Sequence, residues 1–157
     1  MCGIAGIFTL NKELHPSWIK QMTDSIVHRG PDAGGTYTTE NKQLALGHRR
    51  LSIMDLSSGA DQPLYSSCGS FVMVFNGEIY NFKELAAKHG IKEGLSSDSK
   101  VILELFVKLG KDFVLELNGM FALAIYDIRE EKLWLFRDRV GIKPLYFYWN
   151  NENLIFA

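Results

Sequence analysis

A chain of 157 residues, 46% hydrophobic and 22% charged, has the size and make-up of one soluble globular domain. Its formal net charge of −1 gives no electrostatic pull toward nucleic acid or an anionic membrane surface, and no run reaches the ~18 apolar residues of a membrane span. Two cysteines, Cys2 and Cys68, are too few for a disulfide framework and fit a reducing, cytoplasmic setting.

In chain order, Cys2 to Leu10 is apolar with isolated glycines and predicts a strand running straight from the N-terminus, which lacks the basic region of a secretory signal. His15-Pro16-Ser17 opens a helix, with Trp18, Met22 and Ile26 as its expected buried stripe. Leu44 to Ile53 predicts a second strand. Phe71 to Phe75 predicts a third, with Asn76-Gly77 following it directly. Ser97-Asp98 precedes Val101, Ile102, Leu105, Phe106 and Leu109 at helical spacing, and Gly110 closes that helix. Asp112 to Leu117 reads as a short further helix. Met120 to Tyr126, Lys132 to Arg137, Leu145 to Trp149 and Leu154 onward read as strands, with polar turns at 127–131 and 150–153. Helices early and hairpins late indicate one α+β domain with largely antiparallel sheets, not a βαβ repeat. The apolar ending Leu154-Ile155-Phe156-Ala157 reads as a strand cut short, hence as part of a longer polypeptide.

Five segments could carry chemistry, and each has an ordinary structural explanation. A lone cysteine such as Cys2 is commonly a small buried hydrophobe. If Met1 is removed, however, Cys2 carries a free α-amine whose ordinary pKa of about 7.7–8.0 lets it take the thiol's proton. His28-Arg29-Gly30-Pro31-Asp32 is explained as helix punctuation. Period-2 alternation places Leu44, Leu46, His48 and Arg50 on one side of a strand; if the leucines face the core, Arg50 points inward and needs an anion. That anion is either an internal carboxylate or a ligand's, which the guanidinium fork can bind bidentately. Asn76-Gly77 is a hairpin signal, yet an asparagine amide and a glycine N–H could also converge on a tetrahedral intermediate. Asp98 at a helix start is explained by the macrodipole, and could equally face a ligand ammonium. His15, His28, His48 and His89 show no ligand spacing, so no metal site is expected.

Taken in order, Met1-Cys2-Gly3-Ile4, His28 to Asp32, Arg50-Leu51-Ser52-Ile53-Met54-Asp55, Gln62-Pro63-Leu64, Asn76-Gly77-Glu78-Ile79-Tyr80-Asn81, Ser97-Asp98, Gly119-Met120-Phe121-Ala122 and Arg137 to Tyr146 form a set. This set resembles the class II glutamine amidotransferase domain of glutamine-hydrolysing asparagine synthetases, from Met1 to Ala157. Pro31-Asp32 and the run Arg137-Asp138-Arg139-Val140-Gly141-Ile142-Lys143-Pro144-Leu145-Tyr146 are similar to the asparagine synthetase branch in particular. Where that family usually has Gly-Ser-Asp, this chain has Ser96-Ser97-Asp98.

The resemblance implies a four-layer αββα N-terminal-nucleophile hydrolase fold, with two stacked antiparallel sheets, truncated at the C-terminus. It implies Cys2 as nucleophile, and Asn76 and Gly77 as the oxyanion hole. Arg50 is then the anchor of the glutamine α-carboxylate and Asp98 of the α-ammonium. Leu51, Ser52, Ile53, Met54 and Glu78 line the pocket, and Arg29 and Asn81 support it. No cofactor is expected in this chain; ATP and Mg²⁺ belong to a separate synthetase domain that takes the ammonia. L-glutamine and that domain are the implied partners, and a homodimer stays open. The alternatives are an inactive glutamine-binding or interaction module of the same fold, or a glutaminase serving a sugar-carboxylate acceptor.

Overall fold

A computed structural model of the chain describes residues 2–51, 61–92 and 96–157. The elements are β1 (Gly3–Thr9), α1 (Ser17–Ser25), β2 (Ala33–Thr38), β3 (Leu44–Arg50), β4 (Leu64–Tyr65), β5 (Phe71–Ile79), α2 (Phe82–His89), α3 (Asp98–Leu109), β6 (Gly119–Asp127), β7 (Lys132–Arg137), β8 (Phe147–Trp149) and β9 (Asn153–Phe156). They form two antiparallel sheets, ordered β2-β3-β1-β9-β8 and β4-β5-β6-β7.

Side-chain alternation along the strands decides the layering. Ile4 of β1 and Leu44 and Leu46 of β3 face Val72 and Val74 of β5 and Ala122 and Ala124 of β6. These residues form the core between the sheets. The opposite parity of the first sheet, Ala5, Ile7 and Ala45, packs under α1 through Ile19. The opposite parity of the second, Met73, Phe75, Phe121, Leu123 and Ile125, packs under α2 and α3 through Leu85, Val101, Leu105 and Phe106. The order is therefore helix, sheet, sheet, helices. That is the four-layer α+β arrangement expected from the sequence.

Local departures have local causes. The buried stripe of α1 runs through Ile19 and Thr23, with Met22 and Ile26 partly covered, and Trp18 is 45% exposed. The helix is thus rotated by one position from the stripe expected through Trp18. Strand β2 was not anticipated because Ala33-Gly34-Gly35-Thr36-Tyr37-Thr38 has no apolar run; it forms by pairing along β3. Helix α2 is too short for a periodic signal and ends at Gly90, which takes φ 63° at the cap. Asn76-Gly77 makes no hairpin: β5 runs through both residues to Ile79. A Cβ on Gly77 would lie 2.2 Å from the Met120 carbonyl oxygen, so glycine here serves close strand approach instead of a turn. The expected helix at 112–117 is a 3₁₀ segment at Gly110–Leu115. The strand expected to reach Ile53 ends at Arg50, with Ile53 itself outside the described residues.

A polar side chain interrupts the apolar pattern of β3 between the sheets. His48 is 1% exposed, and neither ring nitrogen meets a hydrogen-bond partner. Burial lowers its pKa from 6.5 to about 4, opposed by the nearby Phe75 backbone, which falls short of hydrogen-bond geometry, and reinforced by the Arg50 charge. His48 is therefore neutral at pH 7. Because its folded pKa is depressed, the stability linked to its neutral form is fully present above pH 6.5 and is lost as pH falls toward 4.

Leu46→Ala, at a fully buried position between the sheets, is expected to lower the unfolding free energy by about 2–5 kcal/mol in denaturant titration. Trp18→Ala should change it by under about 1 kcal/mol, and a larger loss would restore Trp18 to the core. His48→Leu should flatten the decline of stability between pH 6.5 and 4; an undiminished slope means another group titrates there.

Candidate functional site

The N-terminus enters the fold at the end of the first sheet. Gly3 pairs with Arg49 and Ile4 with His48, so continued alternation turns Cys2 and Arg50 toward the space between the sheets. The Cys2 Sγ lies 3.5 Å from the Leu51 backbone nitrogen and 3.8 Å from its carbonyl oxygen. Arg29 Nε donates to the Cys2 carbonyl at 3.2 Å, which fixes the direction of the first strand. Arg29 arrives on a 3₁₀ turn at Val27–Arg29, followed by Gly30. Gly30 is not a left-handed helix cap: its φ is −155°, and a Cβ there would lie 2.5 Å from the Arg49 carbonyl. Close passage beneath β3 is what requires glycine in this motif.

Arg50 is 7% exposed, and its Nη1 donates to Asp61 Oδ1 at 2.6 Å. Of the two anions considered for this arginine, the internal carboxylate is present. Asp61 leads into Gln62, whose buried side-chain oxygen accepts from the Phe75 N–H at 2.6 Å. This contact joins the end of the first sheet to the middle of β5.

The free edge of β5 is the second half of the site. β4 pairs Leu64 with Met73 and Tyr65 with Val72, and the pairing goes no further along β5 toward Phe75. Alternate N–H groups of an antiparallel strand point to opposite neighbours, so Phe75, Gly77 and Ile79 all present theirs on the edge that β4 has vacated. Phe75 N–H is taken by Gln62, and Ile79 N–H donates to Asp98 Oδ2 at 3.0 Å. Gly77, between them, meets no side-chain acceptor among the described residues. Asn76 shares the parity of Val72 and Val74 and turns toward the other sheet. It is 5% exposed, yet its amide has no hydrogen-bond partner among the described residues. Glu78 has the same parity.

Asp98 opens α3. Its second oxygen accepts from its neighbour Ser99 N–H at 2.7 Å. Burial raises its pKa above the ordinary 3.8 and Glu78 adds to the rise, while the N–H groups of Ile79 and Ser99 oppose it. Ser97, just before it, is extended, and its hydroxyl meets that of Ser99 at 2.7 Å. Asn81 touches none of these groups. It ties the end of β5 to the start of β6 by accepting from Asn118 N–H and donating to the Glu116 carbonyl, each at 3.0 Å.

Cys2, Arg29, Arg50 and Leu51 thus form one cluster, and Asn76, Gly77, Glu78 and Asp98 another, with Asp61-Gln62 bridging them. Ser52, Ile53 and Met54 lie outside the described residues, as does Met1. Sequence reasoning assigned no role to Asp61, Gln62 or His48; Gln62-Pro63-Leu64 was visible only as a motif. Cys68 sits on the exposed β4–β5 turn, at the far end of β5 from Asn76, where a hydrogen bond with Ser66 lowers its pKa. Among the described residues no His, Cys, Asp and Glu group suits a metal ion, and no helix is long and apolar enough to cross a membrane.

Comparison with known proteins agrees with this geometry. The glutamine amidotransferase domain family matches residues 1–157. Asparagine synthetase [glutamine-hydrolyzing] 2 of Bacillus subtilis is 43% identical over 162 residues, covering all of this chain and 21% of that protein. Asparagine synthetase B [glutamine-hydrolyzing] of Escherichia coli is 38% identical over 162 residues, covering all of this chain and 28% of that protein. The chain spans about a third or less of the length of such relatives. Among solved structures, the glutamine phosphoribosylpyrophosphate amidotransferase of B. subtilis superposes with a TM-score of 0.77 at 20% identity, over 98% of this chain and 41% of that one. At that identity the likeness concerns the fold, the N-terminal-nucleophile hydrolase architecture of two stacked antiparallel sheets between helices. With its whole length matched by the family and its strands so arranged, the chain belongs to the glutamine amidotransferase domain family.

Proposed function

We propose that this chain hydrolyses L-glutamine to glutamate and ammonia, with Cys2 as nucleophile once Met1 has been removed. One observation carries the reading: the edge of β5 holds a Gly77 N–H and a buried Asn76 amide that meet no partner among the described residues, Asn76 having the intersheet parity that Cys2 shares. The family match supports glutamine as the substrate.

In this mechanism the Cys2 α-amine takes the thiol proton, directly or through water. The sulfur attacks the side-chain amide carbon, and the carbonyl oxygen becomes an oxyanion received by the Asn76 amide and the Gly77 N–H. Collapse breaks the C–N bond, and the nitrogen leaves as ammonia with the proton that the amine had held. Water then adds to the glutamyl thioester, giving its proton to the amine. Expulsion of the sulfur releases glutamate and restores Cys2.

Arg50 holds the α-carboxylate through its fork, and Asp98 with Glu78 holds the α-ammonium. The raised pKa of Asp98 supports this pairing, because an ammonium beside it offsets the burial that disfavours its charge. Leu51, Ser52, Ile53 and Met54 line the pocket, Arg29 aligns Cys2 through its carbonyl, and Asn81 holds β5 and β6 in register. On the same reading, residues 1–157 are the glutaminase domain of a longer cytoplasmic synthetase. Their ammonia passes to an ATP- and Mg²⁺-dependent domain that forms asparagine from aspartate, in keeping with the greater length of the relatives.

An electrophilic glutamine analogue should add once, at Cys2, in protein lacking Met1, as read by peptide mass spectrometry. Cys68 is an internal control, being exposed and of lowered pKa without the pocket. An adduct on Cys68 that glutamine protects, or ammonia release persisting in Cys2→Ala, would sink the assignment. Asn76→Ala is expected to lower kcat by about 10²–10³. A loss confined to KM would remove Asn76 from the oxyanion site.

A further inference from the structure

We propose that Asp61 is a built-in stand-in for the substrate carboxylate on Arg50, which glutamine must displace in order to bind. The inference rests on the reading of Arg50 as the α-carboxylate anchor. A guanidinium as buried as that of Arg50 has lost most of its hydration and is costly to leave without an anion beside it. Asp61 supplies one at 2.6 Å.

The two partners are unequal. The Arg50 side chain is 9% exposed and that of Asp61 is 47% exposed. The cation is fixed in the fold at the end of β3, whereas the carboxylate reaches it from the solvent side and can return to water at little penalty. Asp61 is nonetheless kept within reach. Its neighbour Gln62 is anchored by the Phe75 N–H at 2.6 Å, and Pro63 and β4 follow directly. A side-chain carboxylate and an amino acid's α-carboxylate are the same chemical group, so the two compete for one fork. His48, next along the same face of β3, is neutral at pH 7 and offers Asp61 no alternative cation.

Asp61 is therefore a positioning residue that sets substrate affinity through Arg50. Substrate binds only the fraction of molecules in which the fork is open, and its apparent dissociation constant is raised in proportion. Ion pairs with one partner in solvent are weak, which places the effect at about two- to tenfold.

Asp61→Asn, which removes the charge but keeps the size, should lower KM for glutamine by about two- to tenfold without an equal change in kcat, measured in the full chain. Asp61→Ala should act in the same direction. In a Cys2→Ala background, where no turnover occurs, calorimetry should find L-glutamine bound more tightly by a similar factor once Asp61 is replaced. If KM and the dissociation constant are unchanged or raised in both Asp61 variants, the displacement idea is wrong. Arg50→Lys separates the two levels of the argument. A rise in KM for Arg50→Lys without a fall for the Asp61 variants removes the displacement alone, and an unchanged KM for Arg50→Lys removes the carboxylate anchor and the displacement together.

Discussion

Strand β4 leaves β5 at Leu64, and that departure exposes the backbone edge on which the candidate site is built. Had β4 continued, its carbonyls would have consumed the N–H groups of Phe75, Gly77 and Ile79. Two of the three N–H groups are then closed by side chains, a neutral amide oxygen from Gln62 and a carboxylate from Asp98. Buried backbone donors are almost always satisfied, so a row with both flanks filled makes the middle donor conspicuous.

The parity of the strands supplies the rest. Cys2, His48 and Arg50 on one sheet and Asn76 and Glu78 on the other have the same alternation as the residues of the intersheet core. The core is apolar through its middle and turns polar at this one end. That end carries an imidazole and an amide without hydrogen-bond partners among the described residues, a deeply placed guanidinium, and an aspartate whose burial opposes its charge. Taking each of these groups out of water costs solvation. Together they gather polar groups of both charges at one end of an otherwise apolar core. Local rules giving way at one place is the expected mark of a functional site.

The same layered architecture persists in an amidotransferase sharing 20% of its residues with this chain. Packing explains that tolerance. Volume and alternation specify two apolar sheets stacked face to face, and many combinations of Val, Ile, Leu, Ala and Phe fill such a space. Polar groups at the sheet ends have no such latitude, since each must meet a particular donor or acceptor.

The sequence by itself determined the α+β class, most of the strands, and the inward face of Leu44, Leu46, His48 and Arg50, because period-2 alternation is a property of the backbone and needs no partner. It also determined the helix closed by Gly110 and the set of motifs that match the family. The hairpin signal at Asn76-Gly77 and the helix-end reading of Gly30 gave way to close strand approach, and the stripe expected through Trp18 proved to be one position off, with Trp18 at the surface. β2 and α2 went unseen, since one is recruited by pairing with β3 and the other is too short to show a period. Only the tertiary structure decided that Asp61 meets Arg50, that Gln62 closes the Phe75 N–H, and that Asp98 caps the edge at Ile79. Contacts between residues 11, 13 and 19 positions apart depend on where two sheets and a helix end come to rest, and no local pattern encodes that.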